Sequence, residues 1–405
     1  MTVPAQAQSG FYHVTSFATA EVYDDNVFSV PSDPGPMQTA DDRDRESDFI
    51  TRFSPGVELG YQSVPFTAAA TYTLDADIYA EHHDLSSLPA RQAATVDVRY
   101  LPTRRWSLGV DAGFRDTDTA RDLNLTQLLD PHSGRPIYSA TNFNVRRSSA
   151  REYVASTSVG HSLTQTLGAN AHYAFRATDE SNSINESHLA GSGVNLALSH
   201  RLAVRSGYSF SHFTFGGDDQ GSTNGGNQDR TSHTLSFGGS YQVTRRLGVS
   251  AEGGPRFSQG STDGAGSASV SYRLKRGVVS ASYIRTQSTT VGQSQVADTD
   301  TAGAGIAYDF TRRLGGSFGF TFSRNGFEGS DAYVYQTTLG VEYRLLRWLS
   351  LTVSHVFAYQ DEKFDGSTRS STGSSSEHTY ENIALIGLRA AFPWPYDLEE
   401  NRWRP

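Results

Sequence analysis

Strict alternation of apolar and polar residues runs through most of the chain and constrains its fold more than any other feature. In the stretch 66–80, FTAAATYTLDADIYA, every second residue from Phe66 to Ile78 is apolar, and Thr and Asp fill most positions between them. The stretches 105–116 and 314–324 repeat this pattern. Because successive side chains of a β-strand point to opposite faces, the pattern predicts long strands with one apolar and one polar face.

Connectors of two kinds separate these strands and take turns along the chain. One kind is short and often basic, as in VTRR at 243–246 and FTRR at 310–313. The other kind is long and polar, as in the stretches that begin at Asp218 and Asp361. Short turns alternating with long loops are typical of outer-membrane barrels, whose turns face the periplasm and whose loops face the outside.

We therefore predict an all-β fold, a transmembrane antiparallel up-and-down β-barrel of about eighteen strands with long extracellular loops and short periplasmic turns. The barrel is expected to occupy residues 10–392, with both termini in the periplasm of a Gram-negative cell. A β-propeller would show a repeating blade motif, and a soluble sandwich would seldom join so many long hairpins. The predicted strand cores are 11–23, 47–61, 66–80, 92–100, 105–116, 147–161, 167–178, 188–198, 202–213, 232–243, 247–257, 265–274, 278–287, 298–310, 314–324, 332–344, 348–360 and 380–392.

The two ends of the chain lie outside this predicted barrel. Ala5-Gln6-Ala7 has the small-x-small form of a signal-peptidase site, so residues 1–9 are interpreted as the end of a signal peptide or as an N-terminal periplasmic tail. An ordinary Ala- and Gln-rich end is the alternative. Pro393 and Pro395 are expected to stop the last strand, which makes 393–405 a periplasmic tail.

Charge and composition limit the partners of the chain. The formal charge is -9, from 34 basic and 43 acidic residues, and a protein that binds nucleic acid would usually be basic. The expected partner is outer-membrane lipid. Aromatic residues near the strand ends fit an interfacial girdle, although ordinary strand enrichment is an alternative. The girdle residues are Tyr61, Tyr79, Tyr100, Trp106, Tyr241, Tyr308, Phe310, Tyr343 and Trp348.

If the apolar faces contact lipid, the polar faces line a lumen. Both charge signs occur there among Ser, Thr, Gly, Asn and Gln, whereas a strongly ion-selective pore would carry a ring of one sign. Pairing of the charges with each other, which would only stiffen the wall, is the alternative for each residue. The charged residues predicted to line the lumen are Arg52, Glu58, Asp75, Asp77, Asp97, Arg99, Asp111, Arg115, Glu152, Arg176, Arg205, Glu252, Arg256, Arg273, Glu342, Arg344 and Arg389.

The connector at 117–146 is the candidate for a loop that narrows the channel. Its segment LNLTQLL, Leu123 to Leu129, is apolar enough to fold inward or to form a helical turn. An exposed surface loop is the alternative.

Catalytic, cofactor and metal sites are not predicted. Ser211, His200 and His212 lack a nucleophile-elbow motif, so a lipid-modifying enzyme is only a third hypothesis. His82 and His83 are adjacent and would point to opposite faces of a strand, which disfavours a shared metal ion.

The stretch EVYDDNVFSV carries Asp24 and Asp25, which are expected to end the first strand at the rim. A surface Ca²⁺ site is the alternative. Such a site would add Asp41, Asp42 or Asp44.

Three segments together resemble a known family: AEVYDDNVF, SDFITRFSPGVELGYQ and YTLDADIYAEHHDLSS. They are similar to the porin-2-like outer-membrane β-barrel family of Gram-negative bacteria, over about the first hundred residues. Members of that family often accompany systems that synthesise and export exopolysaccharide. The resemblance implies a pore for a secreted polysaccharide, with a periplasmic export protein as a further partner. A general diffusion porin for small polar solutes is the alternative.

Overall fold

The computed structural model describes residues 10–28, 30, 45–119, 127–129, 136–138, 148–180, 183–217, 229–289, 295–327, 329–364 and 376–394. It contains twenty β-strands in these residues and one 3-10 helix, His83–Leu85. The strands are β1 Gly10–Asp24, β2 Asp48–Gln62, β3 Phe66–Tyr79, β4 Ser87–Thr103, β5 Trp106–Thr117, β6 Gln127–Leu129, β7 Pro136–Tyr138, β8 Ala150–Ser162, β9 Leu167–Glu180, β10 Ser183–Ala197, β11 Leu202–Gly217, β12 Arg230–Gln242, β13 Leu247–Ser258, β14 Ser261–Arg273, β15 Gly277–Thr289, β16 Val296–Asp309, β17 Leu314–Phe327, β18 Ser330–Arg344, β19 Leu349–Phe364 and β20 Ser376–Trp394.

Eighteen of these strands form one closed antiparallel barrel. Each barrel strand pairs with its neighbours along the chain, and β1 pairs with both β2 and β20, which closes the sheet. Closure leaves no unpaired edge, which is why a barrel of strands is stable in hydrocarbon. The remaining strands, β6 and β7, pair only with each other. The prediction of an eighteen-stranded antiparallel barrel is therefore confirmed.

Several predicted strand boundaries differ from the structure by a few residues, and two of them matter here. The strand predicted at 92–100 is longer, because β4 spans Ser87–Thr103. The last strand does not stop before Pro393, since β20 continues to Trp394 and pairs Pro393 with Val14. The pairing of β20 with β19 already ends at Ala390, so one side of Pro393 has no strand neighbour and its missing N–H breaks no ladder.

The two ends of the barrel differ in their connectors. At one end, here called the turn end, eight connectors of two to four residues join β2 to β3, β4 to β5 and the later pairs up to β18 and β19. The opposite end, the loop end, carries the long connectors but also three of only two residues. Gly260 and Gly329 have φ of 79° and 92° in two of these tight connectors, a backbone region that glycine enters without strain.

The outer face of the barrel is apolar. Large exposed side chains of the strands concentrate there, among them Phe17, Val110, Phe237 and Ile386. Such a surface would be unstable in water but suits contact with lipid. Within the described residues, no helix is long and apolar enough to cross a bilayer.

Aromatic rings circle the turn end of this outer face, as the girdle prediction requires. Phe11 and Tyr61 lie 4.8 Å apart between ring centroids, and Trp348 stacks with Phe392 at 5.5 Å. Tyr79 was predicted to belong to the same girdle, and this is wrong. It lies at the loop end, its side chain is on the interior face, and only 4% of it is exposed. The period of two places it opposite to Ile78, which faces outward.

Candidate channel lumen

The interior face of the barrel is identified by contacts between strands that are not neighbours. Arg176 of β9 donates from Nη1 to the backbone oxygen of Thr289 on β15, at 3.5 Å, across the interior. Residues opposite each other in the ladders share a face, so this contact fixes the inward side of every barrel strand. All seventeen charged residues predicted to line the lumen fall on that face by their register. Their role in a conducting pore remains a prediction.

One group of these charges forms a connected network near the loop end. Arg52 donates to both carboxylate oxygens of Asp77, at 2.8 and 3.0 Å. Arg91 contacts Asp77 at 2.6 Å and Asp75 at 3.1 Å. The Asp77 side chain is almost fully buried, so its charge depends on these two guanidinium groups.

Other interior charges also meet their opposites. Glu152 lies 2.6 Å from Arg176 and 3.7 Å from Arg115, so it bridges two strands on either side. Arg205 pairs with Glu252. Pairs of this kind across a sheet brace the wall and leave no strong local excess of one sign.

A few interior residues remain without an ion pair. Among the described residues, Arg273, Arg344 and Arg389 have no carboxylate within 4 Å, and all three are exposed to the interior near the turn end. Arg99 lies 3.7 Å from Asp97 and is also largely exposed. The interior wall near the turn end therefore carries these arginines together with two exposed carboxylates, Glu342 and Asp309, which likewise form no ion pair with a described residue.

Further interior charges were missed from the sequence, among them Arg91, Asp263, Glu362, Glu381 and Asp309. Arg91, Asp263 and Glu362 lie just outside the predicted strand cores, so no face was assigned to them. Glu381 lies inside a predicted strand core, on the polar face for which the sequence predicts only Arg389. Ladder partners, such as Arg91 opposite Asp75, would have revealed the first of these.

Exposure of the interior falls from the turn end to the loop end. On β17, Ser317 is exposed, whereas Thr321, Ser323 and Asn325, nearer the loop end, are buried. These buried groups bond to β16, for example Thr301 with Ser323 at 3.0 Å. The lumen is thus solvated from the turn end and packed at the loop end.

The residues after β1 help to fill the loop end. The side chain of Asn26 accepts from the backbone N–H of Val30 and donates to the backbone oxygen of Val30, both at 3.0 Å. This double hydrogen bond folds the chain so that Val27 and Phe28 join a buried apolar cluster with Tyr79. On the other side of the barrel, Phe213, Phe215 and Val296 form a second cluster.

Asp24 and Asp25 have structural roles at this rim. β1 ends at Asp24, as predicted, and its carboxylate accepts the backbone N–H of Asn26. Asp25 accepts from Arg45 and from both the backbone and side-chain nitrogens of Asn382. Among the described residues, no group of three or more His, Asp or Glu side chains is arranged for a metal ion. The alternative calcium ligands Asp41, Asp42 and Asp44 lie outside the described residues.

A cavity of about 700 Å³ lies on the interior face, between β4 and β15. Ser and Thr hydroxyls provide much of its wall, while Val154, Leu189 and Phe213 add apolar surface. A volume of this size fits one small molecule rather than a chain. Its charged lining residues are Asp97, Asp111, Arg176 and Arg256.

His82 connects two segments at the loop end. Its Nδ1 lies 2.9 Å from Asp48, its Nε2 lies 2.5 Å from Glu46, and its ring packs edge-on against Phe28. The hydrogen bonds to Glu46 and to Asp48 raise the pKa of His82 above its usual range, against a smaller opposing effect of burial. The imidazolium form therefore holds 80–86 against 45–48.

We expect this contact to weaken with rising pH. A raised folded pKa means that the stabilisation is complete below about pH 6.5, the ordinary histidine value, and disappears as pH passes the raised value. Amide hydrogen exchange across 80–86, compared between about pH 5 and about pH 9 after correction for intrinsic rates, should show faster opening at the higher pH. His82→Gln should abolish the difference. Equal pH dependence in both proteins would assign the effect to another group.

The residues of the enzymatic and metal hypotheses are not brought together. Ser211 faces the interior and His212 faces outward on the same strand, while His200 lies in a turn at the opposite end. Of the 117–146 connector, residues 120–126, 130–135 and 139–146 lie outside the described residues. The described part of LNLTQLL, residues 127–129, is a β-strand and not a helical turn.

Comparisons with known proteins give a partial match and distant structural likenesses. A family described as "Putative MetA-pathway of phenol degradation" matches residues 138–274, about a third of the chain and outside the first hundred residues. No curated protein matches the sequence.

Among solved structures, the chain is similar to OpdQ of Pseudomonas aeruginosa, at 11% identity and a TM-score of 0.43, with 95% of this chain and 98% of that chain covered. It is also similar to OccAB4 of Acinetobacter baumannii, at 10% identity and a TM-score of 0.43, covering 94% and 98%. The siderophore receptor PirA of Acinetobacter baumannii shows 7% identity and a TM-score of 0.46, covering 96% and 81%. At these low identities and TM-scores, the ligands and activities of those proteins say nothing about this chain.

The geometry itself decides the class of protein. A closed sheet with an apolar, aromatic-rimmed outer face and a charged, hydroxyl-rich interior satisfies every backbone group internally while it presents hydrocarbon-compatible surface. The chain is a transmembrane β-barrel of the outer-membrane type.

Proposed function

We propose that this barrel is an outer-membrane channel for hydrated polar molecules. The observation that carries the proposal is the contrast between an apolar outer face and an interior that is polar and solvated from the turn end. Eighteen strands enclose enough space for an aqueous lumen. In this proposal the turn end and both termini face the periplasm, as is usual for such barrels.

The substrate that we propose within this class is a secreted polysaccharide. Hydroxyl groups and paired charges of both signs on the interior offer many weak hydrogen bonds and no deep trap, which suits the passage of a hydrated polymer. The first hundred residues resemble a family that accompanies exopolysaccharide export, which supports the same substrate. A periplasmic export protein would then deliver the polymer at the turn end.

A general diffusion porin is the second candidate, because two observations favour small solutes. One interior cavity among the described residues has a volume of about 700 Å³, and the interior layer at the loop end is buried. A polymer would need that layer to open, whereas small molecules need only local openings.

Conductance in planar bilayers tests the channel, and secretion tests the substrate. The purified protein should give stepwise currents in potassium chloride, and protein unfolded by heat should give none. Deleting the gene should abolish secreted polymer while intracellular synthesis continues, and the wild-type gene should restore secretion. Currents with unchanged secretion would favour the porin, and a lack of currents would contradict both forms.

A further inference from the structure

The turn end of the barrel carries a concentration of positive charge that the rest of the chain lacks. The eight turn-end connectors contain ten Lys and Arg residues and no Asp or Glu. The loop-end connectors contain sixteen acidic and seven basic residues, and the whole chain has a net charge of -9. The basic residues lie in six of the turns, which together we call the basic crown: 104–105, 198–201, 243–246, 274–276, 310–313 and 345–348.

The crown is exposed and its charges are not neutralised. Every Lys and Arg in these turns is exposed, and none forms an ion pair within 4 Å with another described residue. Arg276 uses Nη1 to donate to the backbone oxygen of Phe310 rather than to an acid. Asp309, at the end of β16, is the one acidic residue that directly adjoins these turns.

Three arginines of the lumen lie close to the crown. Arg273, Arg344 and Arg389 face the interior close to the turn end, and each is exposed without an ion pair among the described residues. Deeper inside, arginines are paired, as Arg205 is with Glu252. Glu342 and Asp309 also face the interior near this end, so the excess of positive charge at the mouth comes mainly from the ten basic residues of the crown. Charge of one sign around an opening with a low-dielectric wall focuses the field into that opening.

We propose that the basic crown and these three arginines form an electrostatic funnel that draws anionic substrate into the lumen at the turn end. The inference rests on the proposed channel and names its substrate class: a polyanion such as an acidic polysaccharide, or small anions. Binding of anionic lipid headgroups is a competing function for the crown. The interior position of Arg273, Arg344 and Arg389 favours a ligand in the lumen, because headgroups outside the barrel do not reach that face.

Reversal potentials across a gradient of potassium chloride test the funnel. At low ionic strength the wild-type channel should prefer chloride over potassium, and the preference should fall as salt is raised above about 0.1 M, where the screening length drops below about 10 Å. The variant R245Q/R246Q/R312Q/R313Q, which removes four charges of the crown, should lose most of the preference for chloride. The variant R273Q/R344Q/R389Q, which removes the three lumenal arginines, should lose the part of that preference that arises at the mouth. The matched variant R245K/R246K/R312K/R313K keeps the charge and should keep the preference.

A polymer probe gives a second readout. Oligogalacturonate should block the wild-type current at several-fold lower concentration than a neutral dextran oligomer of equal length, and the glutamine variants should remove this difference. Absent current in correctly folded protein would contradict the channel itself. A conducting channel with no anion preference, or with a preference unchanged in the glutamine variants, would overturn the funnel and leave the channel intact. If the glutamine variants lost bound phosphatidylglycerol in nanodiscs but kept their ion selectivity, the funnel would likewise be overturned and the crown would be assigned to lipid binding.

Discussion

Arginine in place of Phe237 is expected to destabilise the folded barrel in lipid by about 2–4 kcal/mol, the cost of a guanidinium near the bilayer midplane. Phe237 lies in the middle of β12 on the outer face, and 63% of its surface is exposed. In lipid, the arginine would have to bend toward the interface or draw water into the hydrocarbon. Urea titration of folding in phosphatidylcholine vesicles measures the free energy directly.

Ser236 supplies the matched control for this substitution. It is the preceding residue on the same strand, it faces the interior, and its hydroxyl points toward Gly207 on β11. Arginine at Ser236 would enter the solvated lumen over the missing side chain of that glycine, so we expect less than about 1 kcal/mol of destabilisation. Equal losses for Phe237→Arg and Ser236→Arg would contradict the assignment of the two faces.

Removal of the Asp77 carboxylate is expected to cost about 3–5 kcal/mol, because breaking a buried ion pair leaves its partners uncompensated. Asp77 is 2% exposed and joins Arg52 to Arg91. In Asp77→Ala both guanidinium groups would remain partly buried without their shared acceptor. The free energy of unfolding in vesicles again reports the loss.

Asp75 is the matched control for Asp77. It lies on the same strand and face and contacts Arg91, but about a quarter of its side chain is exposed. We expect Asp75→Ala to cost less than about 1 kcal/mol, as is usual for a pair open to solvent. If Asp77→Ala lowered the free energy of unfolding no more than Asp75→Ala does, the ion-pair network around Asp77 would not stabilise the barrel wall.

The period-two alternation of apolar and polar residues predicted the barrel because it can be read within a single strand, yet it determines which face of the whole sheet contacts lipid. Each strand must bury one face toward lipid, so the alternation at 66–80 fixes both the strand and the direction of its side chains. The same rule placed the charged residues on the interior face. It missed Arg91 because the start of β4 follows a register shift near Asp75 and Asp77, which the pattern of residue types does not mark.

The packing at the loop end was beyond prediction because its contacts join distant parts of the chain. Asn26 donates to Tyr380, and Asp25 bonds to Asn382, more than 350 residues away in sequence. Nothing within EVYDDNVFSV distinguishes an acidic rim from a metal site until those partners are known. The basic turns were visible in the sequence, but their arrangement around one mouth follows only from closure of the sheet.

Accessibility along β5 tests the central claim, a water-filled lumen inside a lipid-facing wall, most directly. The chain contains no cysteine, so each introduced thiol is the only one present. Interior-facing Ser107→Cys and Asp111→Cys should react rapidly with a charged, membrane-impermeant thiol reagent in intact vesicles.

Outward-facing Leu108→Cys and Val110→Cys should react far more slowly until the barrel is unfolded. A period of two in the labelling rates, with Ser107 and Asp111 fast, is the predicted result. Equal rates at all four positions, or fast labelling of Leu108 and Val110, would contradict the account.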